Sequence, residues 1–381
     1  MPLATTDQLP LPGRSRRDDR LDFWRGLCLI DMVLVHLVSQ GMQFGPVGHA
    51  FFTEYTRFAA GGYVMLSGMT IGFIYLPRAM DPNRRWSAYF ALLRRAAYIY
   101  WISVAVAMGQ LILCPMRGEP MPPLLKTLGE TLVFRQGYDL LPFYVMMLAF
   151  SPIILECIRQ RLTWLILAAS LAYFAWGHHD EEFKAHSFSI TTTFFWILWQ
   201  LPFVTGVVAG TWLSRYDQFK TRTKLLAAGS FWAMSILLFF GAYASHFGLT
   251  FSIPGLTFWK NPLTFGEYLR YLGLVGAILA TTDLAWRWLR GSGVMRFVAR
   301  MGRRSLAMYV AQIFLVGQID RLNDAAAAAW PVWGLQFVFM ALAIVLLWAL
   351  AWVMDAMASQ SRRSPAPVSP IVTSFNLSPT E

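Results

Sequence analysis

Three residue types that can do chemistry stand on one apolar stretch of this sequence. The stretch runs from Leu21 to His36 and carries Asp22, Arg25, Asp31 and His36 among aliphatic and aromatic residues. Ionisable groups inside an apolar helix are costly, so each is a candidate for function. Arg25 and His36 are eleven positions apart. That is close to three helical turns, which places them on one face with roughly 16 Å between them along the axis. Asp22, three positions before Arg25, is its neighbour on the helix surface. Asp31 falls off that face, and a helix–helix hydrogen bond is the role its position suggests. A histidine suits removal of a proton from a hydroxyl near neutral pH. An arginine at the other end suits an anionic group. The plainer alternative has Arg25 snorkelling to the near surface and His36 lying at the far interface.

The elements that hold these residues are spans of a membrane. Of 381 residues, 56% are hydrophobic, 15% aromatic and only 14% charged, where a soluble domain carries about 25% charge. Cys28, Cys114 and Cys157 show no Cys-x-x-Cys spacing, so neither a disulfide framework nor a zinc site is indicated. The first apolar segment makes a poor signal peptide, because it contains Asp31 and His36. Ten spans are expected: 21–39, 58–76, 96–114, 140–156, 162–177, 188–213, 225–245, 268–286, 305–320 and 330–354. Residues 1–20 and 357–381 read as disordered cytoplasmic tails, and 21–356 as one transmembrane domain.

The basic residues test that layout. Counting alternate loops, one side collects 23 of the 32 Lys and Arg, and Arg25 at the helix entry makes 24; the other side has eight. The basic side is cytoplasmic, which puts both termini, and the Arg25 end of the first span, inside. The same asymmetry accounts for the net charge of +11 without invoking nucleic acid. No repeat of corresponding broken helices, as in alternating-access transporters, is evident.

Other residues fall into place around this frame. Glu54 and Arg57 lie on the outer side with His36, as contacts for a second substrate. Gly68 and Gly72 have the spacing of close-packed membrane helices. Ser67 beside them could orient His36, touch a substrate or bond its own backbone. The outer segment His178–His186 holds metal-ligand residue types but no ligand spacing, so no metal site is expected. In the segment 246–267, Phe258, Trp259, Lys260 and Glu267 form either a sugar-facing lip or interface anchors.

The spacing Arg25-x10-His36 resembles the Arg-x10-His motif of membrane O-acyltransferases (acyltransferase family three). The flanking Arg20-Leu21-Asp22-Phe23-Trp24-Arg25-Gly26-Leu27 is closer to the OpgC branch, the succinyltransferases of osmoregulated periplasmic glucans. Further segments agree in order. They are Tyr63-Val64-Met65-Leu66-Ser67-Gly68, Leu141-Pro142-Phe143-Tyr144-Val145, Trp199-Gln200-Leu201-Pro202-Phe203 with Gly206 and Gly210, and Gly302-Arg303-Arg304-Ser305-Leu306. The resemblance covers about residues 15–355. One departure is that the wider family often has a histidine where this chain has Gln312.

The resemblance implies an all-α polytopic protein of the bacterial inner membrane. Its implied activity is acyl transfer from cytoplasmic acyl-CoA, with succinyl-CoA favoured, to a hydroxyl of a periplasmic glucan. Acyl-CoA is a co-substrate here, and no permanently bound cofactor is expected. His36 becomes the general base, with Asp22 as ion-pair partner of Arg25. Arg25, Arg94, Arg95 and Tyr98 become the coenzyme A site, although positive-inside anchoring explains Arg94 and Arg95 equally. Ser67 and Gln200 are candidates to stabilise the developing oxyanion. The alternatives are an O-acetyltransferase of another surface polysaccharide, a transporter of acyl groups or small solutes, and a partner or scaffold for a glycan synthase.

Overall fold

The computed structural model describes residues 18–38, 46–114, 140–179, 196–260, 262–329 and 333–361, with isolated positions between 123 and 132. The long regular elements among them are all helices. In chain order these are α1 (Asp19–Val38), α2 (Pro46–Met80), α3 (Arg85–Leu113), α4 (Leu140–Arg159), α5 (Thr163–His179) and α6 (Trp196–Asp217). There follow α7 (Thr221–Tyr243), a short 3-10 turn Ala244–Phe247, α8 (Phe265–Leu289), α9 (Gly293–Arg303), α10 (Ser305–Ala329) and α11 (Trp333–Ser361). Residues 1–17, 188–195 and 362–381 lie outside the described part, and so do the side chains of Arg57 and His179.

Six of these helices contain a stretch long and apolar enough to cross a membrane: 59–80, 85–113, 140–159, 196–213, 221–247 and 338–359. The other expected spans fall on α1, α5, α8 and α10. Of these, α5 is 17 residues long, and α1 and α8 carry several charges. Most of α2 and α6 is buried, whereas most of α3, α7 and α11 faces outward. The protein is therefore a multi-pass bundle built on a central α2–α6 pair.

Four glycines make that pair. Gly68 and Gly72 of α2 lie against the backbone of Phe203 and Val207, and Gly206 and Gly210 of α6 against the carbonyls of Met65 and Met69. A Cβ at any of the four would run into the backbone of the opposite helix. Small residues one turn apart on both partners allow this approach, and dispersion contacts along it replace the missing hydrophobic drive. The tight turn from α4 to α5 closes with Leu162 donating to the Cys157 carbonyl at 2.8 Å and Arg161 to the Ile158 carbonyl at 3.0 Å. Arg161 sits there at φ 64°, in the left-handed conformation that this helix ending requires.

Two differences from the expected layout bear on the site. The helix expected at 58–76 begins at Pro46, so Glu54 lies on α2 and not in a loop before it. The basic stretch after α8 contains a helix, α9, where only a loop is expected. Ser292 caps it by accepting from the Met295 amide at 3.0 Å, and Met295, Val298, Ala299, Met301 and Gly302 form its buried face. That face packs on α1, where Gly26 meets the Val298 carbonyl and Gly302 meets the Asp22 carbonyl.

Ion pairs fasten the end of the bundle at which α1 starts. Arg20 reaches Asp18 (2.8 Å), Asp217 (2.6 Å) and Asp283 (2.7 Å), and Lys224 joins Asp283 at 3.0 Å. Arg20 precedes the 21–39 span, and its hydrogen bond to Asp217, first among the causes, raises its pKa against the opposing effect of burial. Asp355 of α11 gathers Arg304 (3.0 Å), Arg303 (3.5 Å) and Arg300 (3.8 Å). The first cluster ties the start of α1 to α6, α7 and α8, and the second ties α11 to α9 and the start of α10.

Candidate functional site

Arg25 points from α1 into the bundle. Its Nη2 donates to the Thr70 hydroxyl at 2.5 Å, and its Nη1 lies 3.9 Å from the Asp22 carboxylate. Thr70 spends its own proton on the Leu66 carbonyl at 2.8 Å, so its lone pair is free to accept from the guanidinium. Asp22 is 2% exposed, since Gly302 brings α9 directly over its backbone.

Thr70 ends a column of hydroxyls on α2. Tyr63, Ser67 and Thr70 recur at helical spacing and share one face. The column runs from the Arg25 level towards the end where His36 lies, over roughly 10 Å at 1.5 Å per residue. Ser67 donates to the Tyr144 hydroxyl of α4 at 3.1 Å. Ser305 lies close enough to the Tyr63 hydroxyl to act on it, and so do the charges of Arg25 and Arg95. The Tyr63 ring lies edge-on to Tyr144 at 5.8 Å and stacks on Tyr309 at 6.4 Å. Four helices, α1, α2, α4 and α10, thus contribute to one polar seam inside an apolar bundle.

His36 stands exposed at the far end of α1. The Lys260 charge acts on it, which brings the loop before α8 over this end. That loop is held in shape by Thr264, which donates to the Thr257 carbonyl at 2.6 Å and accepts from the Trp259 amide at 3.0 Å. His178 bonds the Leu263 carbonyl at 2.8 Å. Trp259, next to Lys260 in the chain, is left 67% exposed. The remainder of the outer segment, from Asp180 to His186, lies outside the described residues.

Glu54 is engaged in an ion pair with Arg270 of α8. Arg270 is itself buried and reaches Glu267 at 2.9 Å, with Tyr243 at 4.9 Å and Phe258 at 5.7 Å on its faces. This buried cluster clamps α2, α7 and α8 together at the His36 end. Gln200 is likewise committed. It accepts from the Ser170 hydroxyl at 2.6 Å and donates to the Ser170 carbonyl at 2.8 Å, in the seam between α5 and α6. Asp31 is buried near the Ala59 backbone amide, and neither carboxylate oxygen has a hydrogen-bond partner among the described residues. Arg94, Arg95 and Tyr98 are exposed on α3. Arg94 and Arg95 have no ion-pair partner among the described residues, and only Arg95 is near enough to act on Tyr63.

The structure therefore brings Asp22, Arg25 and Ser67 together along the seam, with His36 on the same α1 face at its outer end and Arg95 exposed on α3 nearby. It gives Glu54 and Gln200 partners elsewhere. Thr70, Tyr144 and Ser305 were not singled out from the sequence, and neither was Tyr63 itself. The spacing of Tyr63, Ser67 and Thr70 was the available signal for the column.

The segments that converge here are the ones that carry the sequence resemblance. The family model described as OpgC protein matches residues 17–118 and 115–359. This chain belongs to the OpgC family. Among curated proteins nothing matches it. Membership makes the chain a membrane acyltransferase of a family that acts on glucans. The OpgC match spans all four helices of the seam, so the family assignment and the site geometry concern the same residues.

Proposed function

We propose that this OpgC-family protein is a ten-span enzyme of the bacterial inner membrane, with both termini cytoplasmic. It transfers an acyl group, succinyl in the leading reading, from cytoplasmic acyl-CoA to a hydroxyl of a periplasmic glucan. The observation that carries this reading is the α1 face itself. An inward-pointing Arg25 stands at one end, an exposed His36 about three turns away, and a column of hydroxyls, buried at Tyr63 and Thr70, lies alongside.

In this reading Arg25 and Arg95, with Arg94 and Tyr98 further out on α3, attract the phosphates of coenzyme A. Guanidinium groups suit phosphate oxygens because their N–H donors form a planar fork. The pantetheine arm runs along the seam and delivers the thioester towards His36. His36 takes the proton of the sugar hydroxyl as its oxygen attacks the thioester carbonyl carbon. The C–O bond forms, the C–S bond breaks, and the imidazolium returns the proton to the departing thiolate. The products are the glucan ester and free coenzyme A, and no net proton is taken up. The Lys260 and Trp259 loop forms the acceptor side, where an aromatic face suits a sugar ring.

Mass spectrometry of periplasmic glucans from a deletion strain, complemented with the wild type, tests this reading. Acylated glucan should vanish on deletion and return with the gene, and the missing mass identifies the acyl group. Unchanged glucan acylation after deletion would refute it.

A further inference from the structure

Gln312 of α10 is buried to 3% exposure and makes poor use of its side chain. The amide nitrogen donates to the Met32 sulfur at 3.7 Å, a weak acceptor. The amide oxygen has no hydrogen-bond partner among the described residues. Turning the amide over would leave both ends unmatched, because the thioether can only accept. A polar group without a partner in an apolar interior is costly, and an aliphatic side chain of similar size would avoid that cost.

The position of Gln312 says what its amide is for. Met32, which it touches, is seven residues after Arg25 and four before His36, so it lies on the same α1 face, one turn short of His36. On α10, Ser305, Tyr309 and Gln312 recur at helical spacing, and the first two already meet Tyr63. Gln312 therefore continues the polar seam towards the candidate base. Across it, the Tyr144 hydroxyl accepts from Ser67, which leaves the phenol proton to donate.

We propose that Gln312 binds the pantetheine arm of the acyl donor by pairing both ends of its side-chain amide with one amide of the arm. This rests on acyl-CoA being the donor. The arm carries two secondary amides, each with one N–H and one C=O, and both must pass through the apolar bundle. A primary amide supplies a donor and an acceptor side by side, which is what a secondary amide needs. With the thioester carbonyl at His36, the amide nearest the sulfur is only two methylenes behind it. One helical turn, about 5.4 Å, separates the Gln312 level from His36, so that amide is the one in reach. Gln312 is thus a donor-binding residue that sets how far the thioester advances.

The test uses the full-length protein in proteoliposomes, with Gln312→Met as the near-isosteric variant and Gln312→Leu as a second. Three donors are compared: acyl-CoA, the acyl thioester of N-acetylcysteamine, which keeps only the amide nearest the sulfur, and an S-ethyl thioester with no amide. Losing two neutral hydrogen bonds should raise KM for the first two donors about tenfold to a hundredfold. The KM for glucan and the rate with the S-ethyl thioester should stay at wild-type values. Unchanged KM for acyl-CoA and N-acetylcysteamine thioester in both variants overturns the inference while the enzyme reading stands. An equal loss with all three donors also overturns it, because that is the mark of a packing role. A wild-type protein that transfers no acyl group from any thioester removes the function and this inference together.

Discussion

Replacing Thr70 with valine removes one hydroxyl at nearly constant shape and isolates what positions Arg25. Thr70 is the short, direct acceptor for the Arg25 guanidinium, at 2.5 Å, whereas Asp22 stands off at 3.9 Å. A hydrogen bond to a charged group is worth about 1.5–3 kcal/mol. Without it Arg25 can turn towards Asp22, which recovers part of that energy and draws the guanidinium away from the seam. The lower bound, about 1.5 kcal/mol, corresponds to roughly tenfold in affinity for the acyl donor. The expected result for Thr70→Val is therefore a KM for acyl-CoA raised about tenfold, with the KM for glucan unchanged. Thr70→Ser restores the acceptor and should restore KM. In an Arg25→Lys background the same change should have little further effect, since coupled residues are non-additive. Initial rates in proteoliposomes, with acyl-CoA varied at saturating glucan, measure the wild type and all four variants. A wild-type KM for Thr70→Val, or a full tenfold effect persisting in Arg25→Lys, would refute the role given to this contact.

Further outcomes follow from the packing and the charge clusters. Gly68→Ala and Gly206→Ala each force a methyl into the backbone of the α2–α6 pair, and overpacking of that kind costs about 1–3 kcal/mol. Both should lower the midpoint of thermal unfolding in detergent, and the double variant more so. Arg270→Met leaves Glu54 and Glu267 as neighbouring buried carboxylates. Breaking such a pair costs about 3–5 kcal/mol, so folded yield by size-exclusion chromatography should collapse, whereas Arg270→Lys should retain part of it. Ser67→Ala removes the hydrogen bond to Tyr144 without touching Arg25 or His36. It should lower kcat more than KM if the hydroxyl pair serves the reaction, and stopped-time assays over a range of donor concentrations separate the two.

The helical, membrane-spanning character of this chain was legible because apolar runs and basic loops are local signals. The α1 face was legible for the same reason, since eleven residues of separation fix a shared face on any straight helix. Helix α9 was missed because its arginines matched the positive-inside pattern and drew attention away from its cap. Ser292 before Met295, Val298, Ala299 and Gly302 was a readable helix start. The Glu54–Arg270 pair was not readable, because the two residues are 216 positions apart in the chain. Its only local trace is Glu267 three residues before Arg270 on one helix face. Gln200 looked available from the sequence because nothing there announces Ser170 as its partner across the α5–α6 seam. The converging tyrosines show the opposite case. Each sits in a motif that was visible on its own, and only the fold makes them neighbours.

The most direct test of the account is the activity of His36→Ala, purified and reconstituted in proteoliposomes, with labelled acyl-CoA on one side and glucan on the other. The account predicts that the variant folds, still binds acyl-CoA through the Arg25 end, and transfers no label to glucan above background. Transfer of label at the wild-type rate by the folded variant would contradict it.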